Sequence, residues 1–159
     1  MLSDDRRTEL IAQYRDGYRV IVEALEGASA DEMDAREAPG EWSPREIVHH
    51  LADSEMTSAI RLRKLIAEDR AEITGYDQDE FSKRLYYDRP IDPSLAAFNA
   101  ARLTTADILE RLTRDEWARE GTHPEHGSYS VDDWLQIYAV HAHEHADQIR
   151  RAREAAGTI

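Results

Sequence analysis

Histidines are concentrated in two segments of the chain that are predicted to be helical, and these residues offer the clearest chemistry. His141 and His145 are four residues apart, so on a helix they lie about 40° apart around the axis. They share that face with Trp134 and Ile149, which belong to the apolar stripe of the segment. Both imidazoles are therefore predicted to point inward. His143 lies on the opposite face and is predicted to be solvated.

Two inward imidazoles one turn apart have two interpretations. Each could make a hydrogen bond within the core, or both could converge on one metal ion, because neutral imidazole is the commonest metal ligand. A third histidine from a facing helix would complete a three-nitrogen site with one position open for water or substrate. His49 and His50 lie in the other segment, and periodicity does not choose between them. His50 shares its side with Ser54 and Arg61, part of a polar strip that could line a cleft.

Other catalytic motifs are absent from the sequence. A di-iron bundle needs two Glu-x-x-His pairs on its helices. Glu46 and His49 form one such pair in a predicted helix, whereas the second match, Glu120 and His123, lies outside the predicted helices. The chain contains no His-Glu-x-x-His, Gly-x-Ser-x-Gly, P-loop or dinucleotide-binding motif. It also contains no cysteine, which excludes a disulfide scaffold, a thiolate zinc site and a cysteine nucleophile.

Four long amphipathic segments must position these histidines. Ser43 and Glu46 form a capping box with Pro44 at the first helical position, which is the clearest helix start in the sequence. Strand signals are weak throughout. We therefore predict an all-α four-helix bundle in a single domain, residues 1–159. The predicted helices run from about Ser3 to Gly27, from Ser43 to about Glu68, from near Ser94 to Arg111 and from Ser130 to about Ala156, with a long connection from Asp69 to Asp92 and a short turn from Thr113 to Glu120.

The charge of the chain limits its partners. There are 20 Lys and Arg residues against 33 Asp and Glu residues, giving a net charge of −13. A chain this acidic, with no basic patch, is predicted not to bind nucleic acid. No apolar run approaches the roughly 18 residues of a membrane span, and the amino-terminal residues lack a signal-peptide core. These features predict a cytoplasmic protein with no nucleic-acid or membrane partner.

Two segments carry a resemblance to a known family. Trp42–Ser54, with the sequence WSPREIVHHLADS, resembles the second-helix signature of the DinB superfamily, in particular its YfiT-like branch. Tyr138–Ile149, with the sequence YAVHAHEHADQI, is similar to the His-x-x-x-His motif of the same branch. The loop His123–Gly127, which includes His126, and the pair Tyr76-Asp77 are also similar. The resemblance covers roughly residues 10–155.

The resemblance implies a fold and a set of metal ligands. The family fold is a four-helix bundle with an up-down-down-up order, which needs a long crossover such as the connection before Pro93. The family ligands correspond to His50, His141 and His145, because the second-helix ligand directly precedes the apolar-Ala-Asp run. His49 then becomes a neighbour of the site. Asp53 and Glu144 are weaker candidates for supporting the ligands and His123 for the site mouth; surface or turn positions are favoured for these three.

The resemblance also implies chemistry. Members of the superfamily include transferases that use bacillithiol, mycothiol or related small thiols, and others are described as metal-dependent hydrolases. We expect a divalent metal, with zinc or nickel favoured over copper and iron, and transfer of a low-molecular-weight thiol cosubstrate to an electrophilic small molecule. The alternatives are a hydrolase that uses metal-bound hydroxide and a non-catalytic metal-binding bundle. A homodimer is also expected, since family members often pair through bundle helices.

Overall fold

The computed structural model describes residues 1–125 and 127–157. Within those residues, four long helices form a bundle, three short helices lie in the connections, and three short strands form one sheet. This confirms the predicted helical bundle. The elements are α1 (Asp4–Leu25), α2 (Ala30–Asp34), α3 (Pro44–Ala67), β1 (Ala71–Glu72), α4 (Gln78–Arg84), α5 (Asp92–Leu109), α6 (Arg114–Trp117), β2 (Glu120–His123), β3 (Gly127–Ser130) and α7 (Val131–Ala156).

Local capping fixes where the two histidine-bearing helices begin. The Ser43 hydroxyl accepts from the Glu46 amide, and the Glu46 carboxylate accepts from the Ser43 amide at 2.8 Å. At the start of α7, Ser130 and Asp133 make the same reciprocal pair, with the Ser130 amide 2.9 Å from the Asp133 carboxylate. Each box satisfies backbone donors that a helix start would otherwise leave unpaired. The predicted starts of both helices are therefore confirmed.

The bundle core has two apolar clusters separated by a polar layer. One cluster includes Leu62 and Trp134, and the other includes Ile21 and Ile149. Helix α1 packs mainly against α7, and α3 packs mainly against α5. Each of the described helices is too short or too polar to cross a bilayer.

The polar layer is a buried ion pair that no sequence pattern predicted. The Arg102 guanidinium lies 2.8 Å from the Glu55 carboxylate, and both side chains are 1% exposed. Arg102 also donates to the backbone carbonyls of Tyr14 and Tyr138, and the Tyr14 hydroxyl donates to Glu55. Gly17 on α1 provides the space for the Arg102 guanidinium, because a side chain there would overlap it. These contacts join all four long helices.

The connections differ from the sequence prediction. Strand β1 pairs in parallel with β2, and β2 pairs antiparallel with β3, whereas no strand was expected. The long connection contains β1 and α4, and α5 begins at Asp92 rather than near Ser94. The Ile73 amide donates to the Thr122 carbonyl at 2.8 Å, which fixes the chain just beyond β1. This attachment leads residues 74–79 past the cleft described below.

Candidate metal centre

Three imidazoles from two helices meet at the side of the bundle. The Nε2 atom of His141 on α7 lies 3.4 Å from Nε2 of His50 on α3 and 3.1 Å from Nε2 of His145. One nitrogen from each ring lies within 4.8 Å of the other two. The Trp42 ring lies 4.4 Å from the His50 ring, measured between centroids, and covers one side of the cluster.

A hydrogen-bond chain sets the tautomer of His145. The Gln148 amide nitrogen donates to the Glu41 carboxylate at 3.3 Å, so the Gln148 amide oxygen is the atom that faces His145. This oxygen lies 2.9 Å from Nδ1 of His145. An amide oxygen can only accept, so the proton of a neutral His145 lies on Nδ1. Its Nε2 lone pair therefore points into the cluster, as metal coordination requires.

Burial keeps all three imidazoles neutral. It lowers the pKa of His50 to about 3, with a further lowering from the charge of His145. Burial also holds the pKa of His141 well below its ordinary value, with smaller contributions from His145, His50 and Arg102. The pKa of His145 is lowered by burial and partly restored by the Gln148 hydrogen bond and the Glu144 charge. Neutral imidazole is the form that binds metal.

The cluster fits a divalent cation. Nitrogens bound at about 2.0–2.1 Å in tetrahedral geometry lie about 3.4 Å apart, which matches the separations of 3.1 and 3.4 Å. With Nε2 of His50 facing the cluster, the proton of the neutral ring lies on Nδ1, which is buried without a hydrogen-bond partner among the described residues. Two neutral Nε2 atoms can hydrogen-bond to each other only if one of them carries a proton, so the three rings cannot pair all of their lone pairs with one another. A cation would bind all three lone pairs at once. The donor set is three neutral nitrogens.

A cleft of about 460 Å³ opens beside the cluster. Its inner wall contains His50, Ser54, Tyr138 and His141, and Arg61 forms a further part of the wall. The exposed rim comes from the start of α4 and the turn after β2: Asp77, Gln78, Asp79 and Glu125. This volume suits a small molecule with access to His50 and His141.

His49 and Asp53 have partners outside the cluster. His49 is buried, with Nδ1 2.7 Å from the Ser94 hydroxyl and Nε2 3.0 Å from the Arg89 carbonyl. Both of its nitrogens are thus engaged on the α5 side of α3. Asp53 is half-buried and accepts from the Tyr87 hydroxyl at 2.7 Å.

His123 and His143 also have partners outside the cluster, and Glu144 affects His145 only through its charge. Glu144 is exposed, as the preferred surface position predicted. His123 is buried in β2 against the Tyr129 ring, and its Nδ1 accepts from the Glu125 amide at 3.2 Å. His143 was predicted to be solvated, but it is half-buried with Nε2 3.1 Å from the Gln13 carbonyl, because α1 packs over this part of α7. His126 lies outside the described residues.

Sequence reasoning missed three residues around the cluster: Gln148, Glu41 and Trp42. Gln148 follows His145 by three residues, a spacing that places two side chains on neighbouring positions of one helix face. That spacing could have identified Gln148. The contacts of Glu41 and Trp42 depend on how the segment before α3 packs against α7, which no local pattern reveals.

Comparisons with known proteins place this geometry in context. A family model described as the DinB superfamily matches residues 13–149, nearly the range over which the sequence resembles that family. A protein of Oceanobacillus iheyensis, named as a candidate metal-dependent hydrolase, is 32% identical over 141 residues, which is 89% of this chain and 82% of the relative. A protein of Halalkalibacterium halodurans with the same designation is 25% identical over 126 residues, covering 78% of this chain and 74% of the relative.

A solved structure is also similar. It is YfiT from Bacillus subtilis, described as a probable metal-dependent hydrolase with an unusual four-helix bundle topology. The TM-score is 0.91 at 25% sequence identity, and the match covers 99% of this chain and 91% of the other.

Proposed function

Because this chain belongs to the DinB superfamily, we propose that it is a metal-dependent enzyme that holds a divalent cation on Nε2 of His50, His141 and His145. The observation that carries the proposal is the convergence of these atoms, with separations of 3.1 and 3.4 Å, in a cluster of one buried and two half-buried imidazoles whose pKa values are all lowered by desolvation. The names of the relatives, candidate metal-dependent hydrolases, support the same assignment. Zinc and nickel are the ions we favour, since imidazole suits both.

The residues of the chain perform separate tasks at this site. A cation bound by three neutral imidazoles keeps its full charge, so it polarises a coordinated group and lowers the pKa of a bound water or thiol. Gln148 holds the proton of His145 on Nδ1 and keeps Nε2 free to coordinate. Trp42 covers the cluster beside His50 and limits access of water from that side. The cleft beside His50 and His141 admits the substrate.

For the reaction, we propose transfer of a low-molecular-weight thiol of the bacillithiol or mycothiol type to an electrophilic small molecule. The chain has no cysteine, so the sulfur nucleophile enters as a cosubstrate. A carbon–sulfur bond forms, the bond to the leaving group breaks, and the thiol proton passes to solvent. Hydrolysis, with water as the nucleophile, is the second candidate, and the names of the relatives favour it.

We place this enzyme in the cytoplasm as a homodimer with the family's up-down-down-up helix order. Sedimentation of the purified protein tests the dimer, and a monomer at micromolar concentration would remove that part of the proposal.

Elemental analysis of protein purified without added metal tests the metal site. We expect roughly one divalent cation per chain, and loss of this cation in His50→Ala, His141→Ala and His145→Ala. His143→Ala is the matched control, because His143 lies on the same helix but binds the Gln13 carbonyl. Protein without metal, together with a triple variant as stable as the wild type, would show that these histidines only fill the core.

Incubation of metal-loaded protein with small thiols and a generic electrophile tests the reaction. Metal-dependent conjugation with at least one thiol supports the transferase. Hydrolysis of activated esters or amides without thiol dependence supports the second candidate. Metal binding without either reaction would identify a non-catalytic metal-binding bundle.

A further inference from the structure

Arg61 places a positive charge on the wall of the cleft that also contains His50 and His141. Its guanidinium is held from two sides. Nε and Nη2 donate to the Thr74 carbonyl at 3.1 and 2.8 Å, and Nη1 donates to the Tyr138 hydroxyl at 3.0 Å. These acceptors are neutral, so the charge of Arg61 is positioned but not neutralised by them.

The guanidinium also keeps hydrogen-bonding capacity. An arginine has five N–H donors, and the three bonds above leave two of them, one on each terminal nitrogen. Within residues 1–125 and 127–157, no carboxylate forms an ion pair with Arg61, whereas the two buried arginines, Arg7 and Arg102, pair with Asp132 and Glu55. N–H groups on the two terminal nitrogens can bind the oxygens of a carboxylate.

The rim carboxylates do not serve as the partner of Arg61 in this arrangement. Asp77 accepts from the amides of Asp79 and Glu80 at the start of α4. Asp79 and Glu125 are exposed, so salt screens their charges at physiological ionic strength. The Arg61 guanidinium therefore stays available to a ligand in the cleft.

Arg61 and the imidazole cluster are joined through one side chain. Tyr138 accepts the Arg61 hydrogen bond, and its ring centroid lies 6.0 Å from that of His141. A small molecule that reaches the cluster through this cleft therefore passes within reach of the guanidinium.

We propose that Arg61 is a specificity residue that binds a carboxylate of the small molecule whose other end reaches the metal centre. The proposal rests on the function proposed above, and it assigns the substrate or cosubstrate to the class of carboxylate-bearing molecules. Arg61 acts by binding and orientation; it takes no part in bond making.

Thiol binding to cobalt-loaded protein tests this assignment with an optical readout, the sulfur-to-cobalt charge-transfer band. The probes are mercaptoacetate, 3-mercaptopropionate and 4-mercaptobutyrate, with uncharged 2-mercaptoethanol as the reference, all at 0.15 M salt. We expect at least one of the three acids to bind about tenfold more tightly than the reference, the size typical of one charge-assisted hydrogen bond. The preferred chain length would report the distance between Arg61 and the cation.

Substitution of Arg61 decides the assignment. The preference should fall to about twofold or less in Arg61→Gln and return in part in Arg61→Lys. Arg63→Gln is the matched control, because Arg63 also lies on α3 and has no carboxylate partner in the described part of the chain, but donates to Thr104 and Thr105 on α5. It should keep the wild-type preference. An equal preference in Arg61→Gln and wild type, or no preference for any of the three acids, would overturn the proposal.

A second measurement keeps this result separate from the metal proposal. Metal-free, ¹⁵N-labelled protein is titrated with propionate at constant ionic strength, and the Arg61 Nε–H signal, assigned by its loss in Arg61→Gln, should shift progressively as the propionate concentration rises. If cobalt does not bind or no thiol gives the charge-transfer band, the metal proposal fails and this titration alone decides the role of Arg61. A signal that does not respond would then overturn the carboxylate site.

Discussion

At the scale of single residues, the environment of each nitrogen decides what a histidine can do. His49 and His50 are adjacent in the sequence, yet His49 is engaged by Ser94 and Arg89 while His50 faces two other imidazoles. His145 is directed by Gln148, whose own orientation is fixed by Glu41.

Replacing Gln148 with Leu should weaken metal binding by about 10–100-fold, because partners that orient a metal-bound histidine typically contribute that much. Competition with a chromophoric chelator measures the affinity. Gln136→Leu is the matched control, since Gln136 is exposed on the same helix and donates to the Asp132 carbonyl. An unchanged affinity in Gln148→Leu would show that the tautomer of His145 is set without this hydrogen bond.

Metal-free protein should lose stability as the pH falls below about 6.5. The pKa of His50 is lowered from 6.5 to about 3 in the folded protein, so between these values the unfolded chain binds the extra proton. The contribution is fully present above pH 6.5 and, by pH 5, the free energy of unfolding should drop by about 2 kcal/mol from this group. Urea denaturation of wild type and His50→Gln, each at pH 7 and pH 5 with chelator, measures the difference. Equal drops in both proteins would contradict the assignment.

The sequence predicts part of the candidate site. Spacing alone places His141 and His145 on one inward face, and the structure shows them together. Periodicity leaves His49 and His50 unresolved, because the residues that engage His49 lie about 40 and 45 positions further along the chain. Only the family resemblance selected His50. Arg61 was noticed on the polar strip, but its partners Thr74 and Tyr138 depend on the tertiary fold.

At the scale of elements, regular patterns were predictable and short elements were not. The capping residues Ser43 and Ser130 mark the starts of α3 and α7 as expected, since these signals act within four residues. Strands of two to four residues are too short to show the alternation of apolar and polar residues that predicts a strand. Helix α2 has a capping box from Ser29 to Glu32, but its five residues are too few for a periodic stripe.

Gly17 in the middle of α1 should resist substitution by alanine. An added Cβ would overlap the Arg102 guanidinium and lie 2.8 Å from Cβ of Ala142 on α7. Overpacking typically costs about 1–3 kcal/mol. Because the overlapped guanidinium belongs to a fully buried ion pair, we expect about 2–3 kcal/mol here, which outweighs the gain of about 1 kcal/mol in helix propensity. We expect a net loss of about 1–2 kcal/mol in the free energy of unfolding, measured by urea denaturation.

Gly157→Ala is the control for this prediction. Gly157 ends α7 at negative φ, and the nearest atom to an added Cβ is 3.7 Å away. Its substitution should leave stability unchanged or slightly raised. A Gly17→Ala variant as stable as wild type would mean that α1 and α7 can move slightly apart without lowering the free energy of unfolding.

At the scale of the whole molecule, the ion pair of Arg102 and Glu55 connects the four long helices between the two apolar clusters. Both charges are fully buried, so each depends on the other. Such a pair adds little net stability compared with apolar residues, but it is costly to break from one side.

Arg102→Met should therefore destabilise the protein by about 3–5 kcal/mol, because it leaves the Glu55 charge buried without a partner. The double variant Arg102→Met/Glu55→Met should recover most of that loss. Urea denaturation of both variants at pH 7 provides the comparison. A double variant no more stable than the single one would show that the pair has a specific structural role that apolar side chains cannot replace.

His50 on α3 and His141 on α7, whose Nε2 atoms face each other, are separated by 91 positions in the chain. A nascent or partly unfolded polypeptide can offer an ion only the two rings of α7, a chelate of modest strength. The third nitrogen arrives only when the intervening helices have docked. Retention of the ion would thus distinguish fully folded molecules from partly folded ones. Because the ion binds the folded state more tightly, the metal concentration in the cell would also influence how much of the protein is folded.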